Sequence, residues 1–333
     1  VDQSTVWLIQ APPGLPPLFC AARANVCGLF FVQGAWARLP RLIIAVMPRY
    51  AAVDIGSNSV RLLASETGPN NQFRTLAVDR QVTRLGQSVF RSGRVSAEAM
   101  EFVVKQLEAH AAIYKSHEVV GIRAVATAAI RDAGNRVEFL QRASAALGTD
   151  VEVISGQEEA RLIHLGVQTR WPHPKGRLLV IDVGGGSCEV MLSHDARLEQ
   201  AYSKPLGAVR LTEVFVKSDP PDAQELHRME RFIDEKLSAP LARIGRSKFD
   251  RMIVTSASAA AVVCAINRVP RARRETADRL RASKAQVRAF YEKIRVLPLE
   301  KRQRITGIGP RRSEIIIAGA AVFHRALELF EHH

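Results

Sequence analysis

The chain has 333 residues, enough for two cores, and its 47% hydrophobic and 24% charged content is ordinary for a soluble globular protein. Its formal net charge of +14 is not ordinary, and favours polyanionic partners: nucleic acid, polyphosphate, nucleotides or an acidic membrane surface. Cys20, Cys27, Cys188 and Cys264 show no paired C-x-x-C spacing, so neither a disulfide framework nor a zinc site is suggested, and a reducing cytoplasm is the simplest compartment.

Residues 1–46 differ from the rest. Asp2 is their only acid, they carry Pro12, Pro13, Pro16, Pro17 and Pro40, and no period holds through them. Leu29–Val32 and Leu42–Val46 are apolar, yet no run approaches the ~18 residues of a membrane helix. No basic stretch precedes a clean apolar one in the manner of a signal peptide, although an Arg-bearing, acid-poor segment also fits a transit peptide. Met47 stands just before PRYAAVDIGSNS, so the simplest expectation is a poorly ordered, dispensable extension ahead of a compact domain.

From Tyr50 strands are expected at Tyr50–Asp54, Val60–Ser65 and Phe73–Val78. The first two flank a turn in which Asp54, Gly56, Ser57, Asn58 and Ser59 form an Asp-x-Gly loop followed by small polar residues. Ser96 reads as the N-cap of a helix whose apolar positions are Met100, Val103, Val104, Leu107 and Ala111. A strand at Glu118–Val125, a helix capped by Asn135 and running through Leu147, a strand at Val151–Ile154 and a helix at Gln157–Val167 follow.

The central stretch LLVIDVGGGSCEV, Leu178–Val190, is a second hairpin of the same design. Gly184, Gly185, Gly186 and Ser187 lack bulk, so their N–H groups can approach an anion closely. Asp182 and Glu189 flank the turn with hard carboxylate oxygens suited to Mg²⁺. Two Asp-x-Gly hairpins suggest two similar halves facing a shared phosphate, the layout of actin-like, ribonuclease-H-like phosphotransferases. Helices are expected beyond it at Asp222–Ile244, Ala285–Val296 and Ser313–Phe330, giving a mixed α/β chain.

VATAAIRDAGN (Val125–Asn135), VISGQEEARLIHLGV (Val153–Val167), KPLGAVRLTEVF (Lys204–Phe215) and GPRRSEIIIAGAAV (Gly309–Val322) join the two loops in one order. On these motifs residues 50–330 resemble the exopolyphosphatase/guanosine pentaphosphate phosphohydrolase family, in its short form without the C-terminal HD-type domain. The resemblance implies an actin-like two-domain α/β fold with an interdomain catalytic cleft, and Mg²⁺- (or Mn²⁺-) dependent removal of terminal phosphate from polyphosphate or pppGpp. It assigns Glu159 as the base, Asp182 and Glu189 as metal and catalytic acids, and Asp54, Gly56, Ser57, Asn58 and Ser59 as the first phosphate loop. By the same resemblance Arg131 is expected to face the phosphate. Domains are then expected at 47–156 and 157–333, with the last helix able to pack back on the first, and a homodimer by analogy.

The third loop of that family is rich in glycine, but here it reads TSASAAA, leaving Ser256 and Ser258 as its donors. This keeps three readings open: an exopolyphosphatase first, a pppGpp 5′-phosphohydrolase second, and a non-hydrolysing (p)ppGpp or polyphosphate sensor third. Nucleic-acid binding is supported by charge alone. Between Arg268 and Arg312 there are 15 Lys or Arg against four acids, a local net of +11, and Arg271, Arg273, Arg274, Arg311 and Arg312 are expected to form a basic track for a long polyanion leading to the cleft.

Overall fold

The computed structural model describes residues 5–8, 47–68, 73–170, 175–244, 249–273 and 280–330. Two α/β halves each begin with an antiparallel three-strand meander extended by parallel strands. In the first half the strands are β2 (Arg49–Ile55), β3 (Ser59–Thr67), β4 (Phe73–Val82), β5 (Gly121–Ala126) and β6 (Val151–Val153), in spatial order β4-β3-β2-β5-β6. Buried on both faces, β2 needs its unbroken apolar run Ala51–Val53 and Ile55. Helices α1 (Leu85–Ser92), α2 (Ala97–Ser116), α3 (Ala128–Asp132) and α4 (Arg136–Leu147) complete this half.

The second half holds β7 (Arg177–Val183), β8 (Cys188–His194), β9 (Arg197–Lys204), β10 (Arg251–Thr255) and β11 (Arg281–Ser283). Around them lie α5 (Gly156–Arg170), α6 (Ala208–Phe215), α7 (Ala223–Ile244), α8 (Ala257–Ile266), α9 (Lys284–Arg295), α10 (Leu299–Gln303), α11 (Pro310–Ser313) and α12 (Ile316–Phe330). In both halves the leading strand pairs antiparallel with the second and parallel with the fourth, the ribonuclease-H-like order expected of the actin-like fold.

Two expectations need correction. Thr5–Leu8, expected in a disordered extension, form strand β1, parallel to β10 and antiparallel to β11, so the second sheet runs β11-β1-β10-β7-β8-β9; the rest of residues 1–46 lies outside the described residues. Deleting 1–46 is therefore expected to lower the melting temperature, because β10 loses its partner on that side; an unchanged melting curve would show β1 to be dispensable. The last helix, for which the sequence leaves packing back on the first domain open, packs in the second core against α6, α7, α8 and α9. Asn135 occupies the N-cap position of α4 but makes no side-chain cap; its amide instead clamps the backbone N–H and C=O of Val95. Ser96, by contrast, does cap α2, accepting from the Ala99 N–H.

No helix among the described residues is long and apolar enough to cross a membrane.

Candidate active site

The two hairpin turns have the same backbone closure. Gly56 N–H donates to the Ser59 carbonyl at 3.1 Å, and Gly184 N–H to that of Ser187 at 3.0 Å. The acid that precedes each turn sits at the penultimate strand position, and register places it opposite a charged residue on the returning strand: Asp54 opposite Arg61, Asp182 opposite Glu189. Directly opposed residues share a sheet face. The same geometry thus puts a cation beside the first aspartate and a second acid beside the other. Arg61 in turn opposes Arg80 on β4. Arg61 was recoverable from sequence, since a hairpin turn fixes its register; Arg80 required the third strand.

The two turns meet tip to tip. A Cβ on Gly186 would lie 2.5 Å from Ser57 Oγ and 2.7 Å from both Ala128 Cβ and the Phe90 ring, so this approach requires glycine. Together they floor an open cleft. Asp54, Gly56, Ser57, Asn58 and Ser59 line it, as do Asp182 and Gly184–Ser187, with Glu159, Ser256, Arg61, Arg80 and Arg312 around them. Among the described residues, Ser57 Oγ and Arg61 Nε are buried without a hydrogen-bond partner. Unsatisfied buried donors are costly, and an anion in the cleft would relieve that cost.

Glu159 is placed by the start of α5. The Ser155 hydroxyl accepts from Glu158 N–H at 3.1 Å, and the Ser155 carbonyl accepts from Glu159 N–H at 2.9 Å. Among the described residues its carboxylate takes one hydrogen bond, from Arg131 at 3.0 Å, while the same Arg131 nitrogen donates to the Ile154 carbonyl at 2.8 Å. Burial raises the Glu159 carboxyl to about 7; Arg131 opposes the rise, and Asp54 and Asp182 add to it. Asp54 is raised to about 6, chiefly by burial, with Arg61 opposing. Asp182 is also raised by burial, against a hydrogen bond from the Thr255 hydroxyl. The site is thus a set of carboxyls raised chiefly by burial, a rise that the nearby arginines offset only in part.

Several expected residues stand elsewhere. Arg131 does not line the cleft; it holds Glu159 from behind. Glu189 is fully buried beneath the glycine turn, accepting from the Ser203 hydroxyl at 2.8 Å, and its other oxygen has no partner among the described residues. Burial and the neighbouring Glu159 and Asp182 push its carboxyl well up. Ser258 is buried, and its hydroxyl accepts from Arg312 at 3.3 Å rather than facing the cleft. Of the expected basic track, Arg312 reaches the cleft, while Arg271, Arg273 and Arg311 are exposed outside it, with Arg271 lying over Gly309. Arg274 lies outside the described residues.

The glycine-free loop keeps a glycine-like backbone. Ser256 has φ of +111°, and its hydroxyl accepts from the Ser258 and Ala259 N–H groups at 3.2 Å each. That capping bond offsets a conformation a side chain rarely adopts, and occupies the first amides of α8.

Among the described residues no three His, Cys, Asp or Glu side chains are grouped to hold a metal unaided. The donor set nonetheless suits Mg²⁺, which is commonly held by one or two carboxylates and completed by substrate phosphate and water. Asp54, Glu159 and Asp182 line the cleft as carboxylates of that kind, and Glu189 lies opposite Asp182 on the returning strand.

The sequence profile of the Ppx/GppA phosphatase family matches residues 64–333. Exopolyphosphatase 2 of Mycobacterium tuberculosis is 30% identical over 285 residues, covering 83% of this chain and 89% of that protein. Exopolyphosphatase 1 of the same organism is 29% identical over 285 residues, covering 82% and 80%. The crystal structure of the Aquifex aeolicus Ppx/GppA family member superposes with a TM-score of 0.67 at 28% identity, covering 86% of this chain and 91% of that one. Joined to the paired hairpins and the acid-lined cleft, these matches show that the chain belongs to the Ppx/GppA phosphatase family.

Proposed function

We propose that the protein is a divalent-metal-dependent exopolyphosphatase that removes terminal orthophosphate from inorganic polyphosphate. The observation that carries this reading is the placement of the Glu159 carboxyl, held by Arg131 at the edge of a cleft floored by two phosphate-type turns, where burial raises it. A base whose pKa lies near working pH is best matched to taking a proton from water. Hydrolysis of a phosphoanhydride otherwise requires positioning and charge neutralisation more than covalent chemistry.

Glu159 orients the water and accepts its proton at a carboxylate oxygen. Loop N–H groups and the Ser57 hydroxyl bind the non-bridging oxygens of the terminal phosphate, and Arg61, Arg80 and Arg312 hold phosphates farther along the chain. A bound Mg²⁺ near Asp182 would supply charge neutralisation on the transferring group. Three arginines around one cleft suit a substrate with several consecutive phosphates, and their number favours polyphosphate over a single phosphate ester.

Orthophosphate release from long-chain polyphosphate and from pppGpp, measured side by side with Mg²⁺ and with EDTA, tests the reading. Release from polyphosphate is expected in Mg²⁺ and loss of it in EDTA. Binding of polyphosphate without release from either substrate would instead make the protein a sensor.

A further inference from the structure

The segment Gly207–Arg210, from the KPLGAVRLTEVF motif, has no part in the chemistry above, yet it takes up the carbonyls of all three glycines of the turn. Ala208 N–H donates to the Gly184 carbonyl at 2.9 Å, and Val209 and Arg210 N–H both donate to that of Gly185, at 2.9 and 3.1 Å. Arg210 Nε donates to the Gly186 carbonyl at 2.7 Å. A trans peptide points its C=O and the next residue's N–H in opposite directions. Holding the carbonyls of Gly184, Gly185 and Gly186 toward α6 therefore turns the N–H groups of Gly185, Gly186 and Ser187 the other way, toward the cleft these residues line. The approach depends on Gly207, where a Cβ would fall 2.3 Å from the Gly185 carbonyl carbon and oxygen and from the Gly186 nitrogen.

Arg210 does more than its backbone. Its guanidinium also donates to Asp132 of the first half at 2.6 Å and stacks over the Phe90 ring, 3.9 Å from the centroid. Asp132 follows Arg131, the residue that holds Glu159. Adjacent side chains of α3 thus anchor the base and, through Arg210, the glycine turn.

We propose that Arg210 is a positioning residue: it fixes the amide orientation of the Gly184–Ser187 turn and ties that orientation to the contact between the two domains, so that the phosphate-binding amides and Glu159 are aligned through a single short helix. This rests on the phosphate-binding reading of the turn.

The test compares Arg210→Met and Asp132→Asn with the parent. Three quantities are measured: melting temperature, tripolyphosphate affinity by calorimetry in EDTA, and the kcat and KM for polyphosphate in Mg²⁺. Arg210→Met is expected to weaken tripolyphosphate binding and lower kcat/KM by about 10- to 100-fold, leaving the pH at which activity rises where it was, since Glu159 is untouched. Asp132 is half-exposed, so Asp132→Asn cannot unfold the core; it is expected to produce a smaller loss in the same two quantities at an unchanged melting temperature. Tripolyphosphate affinity equal to the parent's in both variants would overturn the proposal, whether or not polyphosphate is hydrolysed. Absence of hydrolysis in the parent with affinity still lost in the variants would overturn the exopolyphosphatase reading and keep Arg210 as the organiser of the turn.

Discussion

Glu159→Gln is expected to lower kcat for polyphosphate by about 10³-fold while leaving tripolyphosphate affinity and the circular dichroism spectrum close to those of the parent. In the proposed mechanism this carboxylate takes the proton from water, and general-base contributions run from about 10² to 10⁴. Glutamine preserves the size of the side chain and an oxygen for Arg131, whose hydrogen bond reaches Glu159 at 3.0 Å. A variant that keeps more than a tenth of parental kcat would remove Glu159 from the mechanism. The pH dependence carries the same assignment. With Glu159 raised to about 7, the competent carboxylate form accumulates as pH rises through 7, so kcat/KM climbs across that range, and a bound cation moves the climb lower. Arg131→Met deletes the cation that favours ionisation and is expected to move the climb to higher pH by about one unit or more. A shift to lower pH, or none, would contradict the pairing.

The second large effect runs opposite ways in activity and stability. Asp54 is 9% exposed, and burial raises it from 3.8 to about 6. The folded state therefore binds this proton more tightly than the unfolded chain does. Its contribution to stability falls as pH rises from about 3.8, and the loss is complete above about 6, where it amounts to at most about 3 kcal/mol. Asp54→Asn removes the ionisation. It is expected to raise the stability of the metal-free protein at pH 8 by up to that amount, to leave it unchanged near pH 3.5, and to reduce hydrolysis by at least about tenfold, because the aspartate lines the cleft beside Arg61. Chemical denaturation at the two pH values checks the sign. Equal destabilisation at both would mean that Asp54 serves the fold and not the site.

Much of this site was legible in the chain. Two apolar runs around an Asp-x-Gly turn can only fold back as hairpins, and a hairpin's side-chain period of two fixes which acid faces which partner. Glu159 was legible through its motif. Arg61 lies within reach of the same register argument, which sets it opposite Asp54. The expected roles of Arg131, Ser258 and Glu189 rested on motif membership, which names a residue but not the direction of its side chain. Arg131 turned to Glu159, Ser258 to Arg312 and Glu189 to Ser203, partners that the motifs do not specify. The disordered-extension expectation failed at Thr5–Leu8 because composition describes a segment's average, whereas a strand of four residues needs only an unpaired neighbour, here β10.

By itself the sequence determined two hairpin-led α/β halves, their phosphate-type turns and the acid at the head of α5, since strand alternation, glycine turns and helix starts are local matters of backbone sterics and hydrogen bonding. Only the tertiary structure decided that Arg61, Arg80 and Arg312 converge on one cleft, from β3, β4 and the segment before α12, and that Arg210 and Asp132 join the halves behind the glycine turn. Those residues are far apart along the chain, with Arg312 lying 232 positions after Arg80. No local rule relates them, and their meeting is set by how the two apolar cores pack and which charges remain at the seam between them.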